Sequence, residues 1–156
     1  MNPQGDGDIG RPEETAAAPP PKADGPKPAY GGLMLAEYEP ISFVHTTDLA
    51  RARQFYVGVL GLDFVEDSPF ALVLRSGHTK VRVTPVESHR ASPHTVLGWS
   101  VDDLGTMLDR LLNRGVRPLR FDTLDQDDRG VWRAPGGAKV AWFSDPDGNT
   151  LSLTQF

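Results

Sequence analysis

The sequence contains no cysteine, which excludes a disulfide framework and thiolate metal sites. It also lacks a run of basic residues, and its formal net charge is −5, so we do not expect it to bind nucleic acid. No apolar stretch approaches the length of about 20 residues that a membrane-spanning helix needs. A P-loop and a serine nucleophile elbow are absent as well. What remains is one globular domain, since 156 residues can bury a substantial core.

Large apolar residues are scarce in residues 1–36, which are rich in proline, glycine, alanine and charge. Such a composition buries too little surface to offset the entropy lost on ordering, and it predicts a disordered tail. A docking arm is the alternative function of this segment, and Met34 is a candidate alternative start of translation. The first residues lack the basic-then-apolar pattern of a secretory signal, so we expect a cytoplasmic protein.

From residue 37 onward the sequence predicts a folded domain made of two similar halves. In the first half, residues 40–46 are extended. Asp48 then caps a helix whose apolar residues recur at helical spacing, and Gly61 ends that helix. Extended segments follow near residues 62–65, 70–74 and 81–86.

The same order of elements repeats after a linker at residues 88–94. Residues 95–101 are extended, Asp102 and Asp103 cap a second helix, and Gly115 lies as far after Asp102 as Gly61 lies after Asp48. Extended segments follow at residues 116–121, 140–143 and 150–155. We therefore predict an α+β fold of tandem βαβββ modules, residues 40–87 and 95–156, whose curved mixed sheet surrounds a cavity.

The chain closes with a strand, a tight turn and a second strand. Pro146 presets φ at the second turn position, Gly148 supplies a positive φ, and Asp145 can accept backbone N–H groups. After the turn, Leu151 and Leu153 alternate with polar residues, which indicates a strand with one apolar face.

These motifs resemble those of the vicinal oxygen chelate superfamily, which includes glyoxalases, extradiol dioxygenases and bleomycin-resistance proteins. The resemblance covers about residues 40–156 and implies the paired-module fold. Because the motifs are caps, turns and core positions, they say little about function. The matching features are Thr47-Asp48-Leu49, Phe55-Tyr56, Val59-Leu60-Gly61-Leu62, Val101-Asp102-Asp103 and Phe143-Ser144-Asp145-Pro146-Asp147-Gly148-Asn149.

The resemblance also implies four cavity-facing positions, which in this family usually hold His, Gln or Glu and bind one divalent metal. They fall here on Ile41, Val96, Arg82 (or its neighbour Val83) and Ser152. Isoleucine and valine have no lone pairs, arginine stays cationic, and serine alone is a weak ligand. We therefore expect no metal and no other cofactor.

Five residues are candidates for ligand binding: His45, Arg82, Ser100, Trp132 and Ser152. A guanidinium that faces a cavity needs a counter-charge, either from an anionic ligand or from an internal salt bridge. Simple surface exposure is the remaining alternative for Arg82. His45 is either a ligand contact or a solvated strand end, and Trp132 is either an aromatic wall of the cavity or a core residue. Trp99 and Trp142 lie inside strand patterns and are predicted to be core residues.

The resemblance leaves three classes of function open. The first is a module that binds or sequesters a small organic molecule without a metal, as antibiotic-binding relatives do. The second is a glyoxalase- or dioxygenase-like enzyme, either metal-dependent through other ligands or metal-free with His45 as acid–base. The third is an interaction domain whose cavity has closed. The expected partner is a small molecule, with an anionic one as an option, and a homodimer stays open.

Overall fold

The computed structural model describes residues 35–156. All but the last two positions of the tail predicted from composition, residues 1–36, lie outside this range. The described part begins with a short 3-10 turn, Leu35–Glu37, and continues with these strands and helices: β1 (Ile41–Thr46), α1 (Leu49–Arg53), β2 (Asp63–Ser68), β3 (Ala71–Ser76), β4 (Thr79–Pro85), β5 (Thr95–Ser100), α2 (Leu104–Asn113), β6 (Trp132–Arg133), β7 (Lys139–Ser144) and β8 (Thr150–Gln155).

The strands form two four-stranded mixed sheets with the same topology. The first sheet has the order β1-β4-β3-β2 and the second has the order β5-β8-β7-β6. In each sheet the first strand pairs in parallel with the last strand of its module, and the other pairs are antiparallel. The predicted tandem βαβββ fold is confirmed.

Both helices begin at a capping aspartate and end before a glycine with positive φ. The carboxylate of Asp48 accepts the N–H of Arg51, and that of Asp103 accepts the N–H of Thr106. Gly61 and Gly115 follow with φ of 77° and 81°. Because Asp103 rather than Asp102 is the cap, the stretch from the cap to the glycine is one residue shorter in the second module than in the first. The first helix accommodates its extra residue in a π-helical turn, Gln54–Val59.

One face of each sheet is buried against the helices. In the first module this face carries Val44, Val81 and Val83, which are fully buried against Ala52 and Phe55. In the second module the equivalent face carries Ala141, Phe143, Leu151 and Leu153, which pack with Leu104, Leu108 and Leu111. Since successive residues of a strand point to opposite sides, Arg82 and Ser152 face away from the helices.

The prediction of a strand at residues 116–121 is wrong. The described structure pairs the two-residue strand β6 with β7 in its place. Pro118 has no N–H to donate, and the side chain of Gln126 takes the strand partner's role by accepting from Phe121 N and donating to Leu119 O. Residues 116–121 therefore form an ordered loop, which hydrogen-bonds to β7 through Leu119 N and Trp142 O at 2.7 Å.

Candidate functional site

The sheet surface away from the helices is the candidate site, and we call it the open face. Strands β1 and β5 lie next to each other, so the two sheets present this face together. The residues that alternation and strand register place on it include Ile41, Phe43, His45, Lys80, Arg82, Gly98, Trp132, Trp142 and Ser152. By register all five predicted ligand-binding residues lie on this face, because Ser100 pairs with Thr154 in the same cross-strand row as Trp132. The other four are His45, Arg82, Trp132 and Ser152.

Strands β1 and β4 of the first module carry basic and exposed side chains on the open face. Arg82 pairs with Phe43 in the sheet register, and Lys80 pairs with Ile41. Ile41 and Phe43 are 49% and 58% exposed, so this part of the face is an open surface and not an enclosed cavity. Neither Phe43 nor Lys80 was among the predicted ligand-binding residues, although the alternation that placed Arg82 here also places Lys80 two residues earlier.

Arg82 is half-buried and has no carboxylate partner among residues 35–156. Of the interpretations drawn from the sequence, an internal salt bridge therefore has no support in the described structure, while an anion site and surface exposure remain. His45 is exposed, and its ring lies 6.3 Å from that of His89. A half-buried guanidinium without an internal counter-charge can accommodate an anion from outside.

The second module makes its part of the open face aromatic. Trp132 lies in β6 opposite Val140, and its ring is 6.1 Å from that of Trp142. The prediction that Trp142 is a core residue is wrong. Its indole N–H donates to Thr95 Oγ1 at 3.0 Å, and its ring meets Phe121 edge-on at 5.5 Å. A strand with a polar partner for the indole can place a large ring on a half-exposed face, which the apolar pattern of β7 did not reveal.

Ser152 and Ser100 have different surroundings. Ser152 is buried, paired in register with Gly98 and Trp142, so its hydroxyl lies between the two neighbouring strands of the face. Ser100 is exposed at the end of β5, in register with Thr154, and it also lines a cavity between the modules.

The four residues that the sequence resemblance assigned to metal positions do not fit a divalent ion. Ile41, Arg82, Val96 and Ser152 supply one neutral hydroxyl and one permanent positive charge between them. Among residues 35–156, no group of three or more His, Asp or Glu side chains is arranged to hold a metal. No helix within this range is long and apolar enough to cross a membrane.

The open face depends on a buried polar contact between the modules. The turn at residues 145–149 packs against the end of β1 and the first helix. The hydroxyl of Tyr56 donates to Asp145 Oδ2 at 2.7 Å, and Asn149 Nδ2 donates to the carbonyl of His45 at 2.9 Å. Burial, and then the charge of Asp145, raise the pKa of Tyr56 far above its usual value. Tyr56 therefore stays protonated and acts as a hydrogen-bond donor.

Asp147 fixes the other side of the same turn. Partial burial raises the pKa of its carboxyl, but the hydrogen bonds from Thr46 and Thr47 and the charge of Arg51 outweigh it, so that the pKa is lowered. Arg51 Nη2 lies 2.8 Å from Asp147 Oδ1. These contacts hold the end of β1, and with it His45, in place on the open face.

A family model and similar solved structures point to the same protein family. The family model described as Glyoxalase/Bleomycin resistance protein/Dioxygenase superfamily matches residues 41–153. A structure described as a member of that superfamily from Sphaerobacter thermophilus is 23% identical with a TM-score of 0.61, covering 76% of this chain and 97% of the other. A glyoxalase/bleomycin resistance protein from Streptomyces sp. CB03234 is 24% identical with a TM-score of 0.55, covering 76% and 100%.

A third similar structure is described as lactoylglutathione lyase from Agrobacterium tumefaciens. It is 19% identical, has a TM-score of 0.57, and covers 82% of this chain and 96% of the other. At such identities the structures show a shared fold only. No curated protein matches the sequence.

Proposed function

The chain belongs to the glyoxalase/bleomycin resistance protein/dioxygenase superfamily, and we propose that its open face binds a small organic anion without a divalent metal. The observation that carries the proposal is Arg82, a half-buried guanidinium on the open face with no carboxylate partner among residues 35–156. By the sequence resemblance, Arg82 (or its neighbour Val83) falls on one of the four positions where the family usually places a metal ligand, and at Arg82 a permanent positive charge disfavours a metal and favours an anion.

The rest of the open face supports the same class of ligand. Lys80 adds a basic group two residues before Arg82 on β4, and His45 adds one on the neighbouring strand β1. The Trp132–Trp142 pair offers an aromatic surface, and the Ser152 hydroxyl can donate or accept one hydrogen bond. The proposed ligand therefore carries a carboxylate or phosphonate for the basic half and an apolar or aromatic body for the other half. A cytoplasmic location and a homodimer stay predictions from the sequence.

The metal part of the proposal is tested by elemental analysis of the purified chain. We expect less than stoichiometric zinc, nickel, iron or manganese, and no change in melting temperature when a chelator is added, because no binding energy is linked to folding. One equivalent of any of these metals, lost with the chelator together with stability, would overturn the proposal in favour of a metal-dependent enzyme.

The anion part is tested by titrating the ¹⁵N-labelled chain with benzoate and with phenylphosphonate. The three tryptophans provide separate indole N–H resonances, two of them on the open face. We expect both ligands to shift the Trp132 and Trp142 resonances. Replacing Arg82 by Met keeps most of the side-chain volume and removes the charge. A charge-assisted hydrogen bond contributes about 1.5–3 kcal/mol, so affinity should fall roughly tenfold to a hundredfold.

Arg114→Met is the matched control, since Arg114 is exposed at the end of α2, away from the open face. It should leave the affinity for both anions unchanged. Equal affinities of the Arg82 variant and the wild-type chain would contradict the anion site. Turnover of either anion during the titration would show that the site is catalytic.

A further inference from the structure

A cavity of about 270 Å³ lies at the junction of the two modules, on the helix side of the sheets. Its walls come from both modules: the β3–β4 hairpin on one side, and Met107 and Leu111 of α2 on the other. Trp99 and Phe143 also line it, with stacked rings whose centroids are 6.3 Å apart and whose planes are inclined by 18°. The cavity is separate from Arg82 and from the Trp132–Trp142 pair.

The cavity exists because the two hairpins differ in length. Five residues, 145–149, connect β7 to β8, and this turn fills the junction between β1 and the first helix. Only two residues, Gly77 and His78, connect β3 to β4. The shorter hairpin reaches the end of β5 through a side-chain hydrogen bond from Trp99 Nε1 to Ser76 Oγ at 2.8 Å. The turn at residues 145–149 therefore fills the junction between β1 and the first helix, whereas the β3–β4 hairpin leaves the corresponding junction between β5 and α2 open.

The residues around this space are apolar where their counterparts are polar. Thr46 and Tyr56, which bind the carboxylates of the filling turn, lie two residues before and eight residues after the capping Asp48. The residues with the same spacing from Asp103 are Val101 and Leu111, and both line the cavity. Thr46 and Tyr56 donate hydrogen bonds to carboxylates at the first junction, but their counterparts Val101 and Leu111 have no side-chain donor.

The charged residues at the cavity compensate each other. Arg75 Nη2 lies 3.5 Å from Asp63 Oδ2, and both side chains are more than half exposed. The indole N–H of Trp99 is already used by Ser76. A bound anion would lose its hydration without gaining a free cation, whereas an uncharged ring would gain contact with Trp99, Phe143 and the Met107 thioether.

We propose that this junction cavity is a second binding site, specific for small uncharged aromatic molecules of one or two rings. The volume is at the small end for ligand sites, which suits a ring with at most a short substituent. Ser100 and Arg75 connect the rim of the cavity to the edge of the open face by register, but His45, Lys80, Arg82, Trp132 and Trp142 do not line it, so the two sites use different contacts.

The two sites can be told apart with two probes of the same size, benzyl alcohol and benzoate, on the full ¹⁵N-labelled chain. We expect benzyl alcohol to shift the indole resonance of Trp99, assigned through a Trp99→Phe variant, and to leave those of Trp132 and Trp142 in place. We expect benzoate to shift Trp99 at least tenfold more weakly, since the cavity offers no unpaired cation. Benzyl alcohol that shifts only Trp132 and Trp142, or no tryptophan up to millimolar concentrations, would overturn the proposal.

Val101→Phe fills the cavity from the end of β5 and should lower the affinity for benzyl alcohol at least tenfold. Val65→Phe is the matched control, because Val65 is 47% exposed in β2 and does not line the cavity. Met107→Trp fills the same space from α2 and replaces Val101→Phe if that variant does not fold. Arg82→Met should leave benzyl alcohol binding unchanged, so that failure of one site does not imply failure of the other. Wild-type affinity in a folded cavity-filling variant would contradict the site.

Discussion

Replacing Tyr56 by Phe removes a buried hydrogen bond between the first helix and the turn of the second module. Tyr56 is 0% exposed and Asp145 is 6% exposed, so water does not replace the lost donor. The carboxylate keeps three other donors, from Asp147 N, Asn149 N and Asn149 Nδ2. A hydrogen bond to a charged acceptor is worth about 1.5–3 kcal/mol, and we expect a loss of about 2 kcal/mol because Asp145 stays largely satisfied.

This loss can be measured by urea unfolding and by thermal melting at pH 7. For a domain of this size, 2 kcal/mol corresponds to a decrease in Tm of roughly 6–10 °C. Tyr38→Phe is the control, since Tyr38 is 72% exposed, and it should change the free energy of unfolding by less than about 0.5 kcal/mol. An equally small change for Tyr56→Phe would refute the importance of the contact between the modules.

The pH dependence of the same variant gives a second check. Burial and the Asp145 charge raise the pKa of Tyr56, so the folded state favours the protonated phenol. Its contribution is therefore fully present below the unfolded pKa of about 10 and is lost as the pH rises above that value. The stability difference between wild type and Tyr56→Phe should shrink above pH 10. A difference that stays constant up to pH 12 would contradict this account of Tyr56.

Two further substitutions probe the turn and the open face. The pKa of Asp147 is lowered, so its contribution is present above the unfolded value of about 3.9 and is lost as the pH falls below it. Asp147→Asn should therefore destabilise the chain at pH 7, with a smaller penalty in urea unfolding at pH 3. A Cβ on Gly98 would lie 2.5 Å from Ser152 Oγ, so Gly98→Ala should cost about 1–3 kcal/mol. A double-mutant cycle should show most of this cost removed by Ser152→Ala, and additive effects would contradict the clash.

The helix ends and strands can be predicted from the sequence because the interactions that determine them act between nearby residues. A capping carboxylate, a glycine with positive φ and a period of two in side-chain polarity act over a few residues. Asp48, Gly61, Gly115 and the strand after Gly148 are therefore predicted correctly from their immediate neighbours in the chain. The π-helical turn is not, because it reflects one residue of mismatch between two repeats. The loop at residues 116–121 was mispredicted because the Gln126 side chain, and not a strand, satisfies its backbone.

The sequence predicts which residue types lie at the candidate site, but only the tertiary structure shows what surrounds each of them. Alternation alone put Arg82 on the face away from the helices, but only the packed chain reveals whether a carboxylate lies beside it. Trp142 shows the same limit, since its apolar neighbours in β7 do not indicate that its own ring lies on the open face. The junction cavity likewise cannot be predicted from any one stretch of sequence. It arises because hairpins of unequal length meet equivalent positions of the other module, and such a contact between distant segments is defined only when the chain folds.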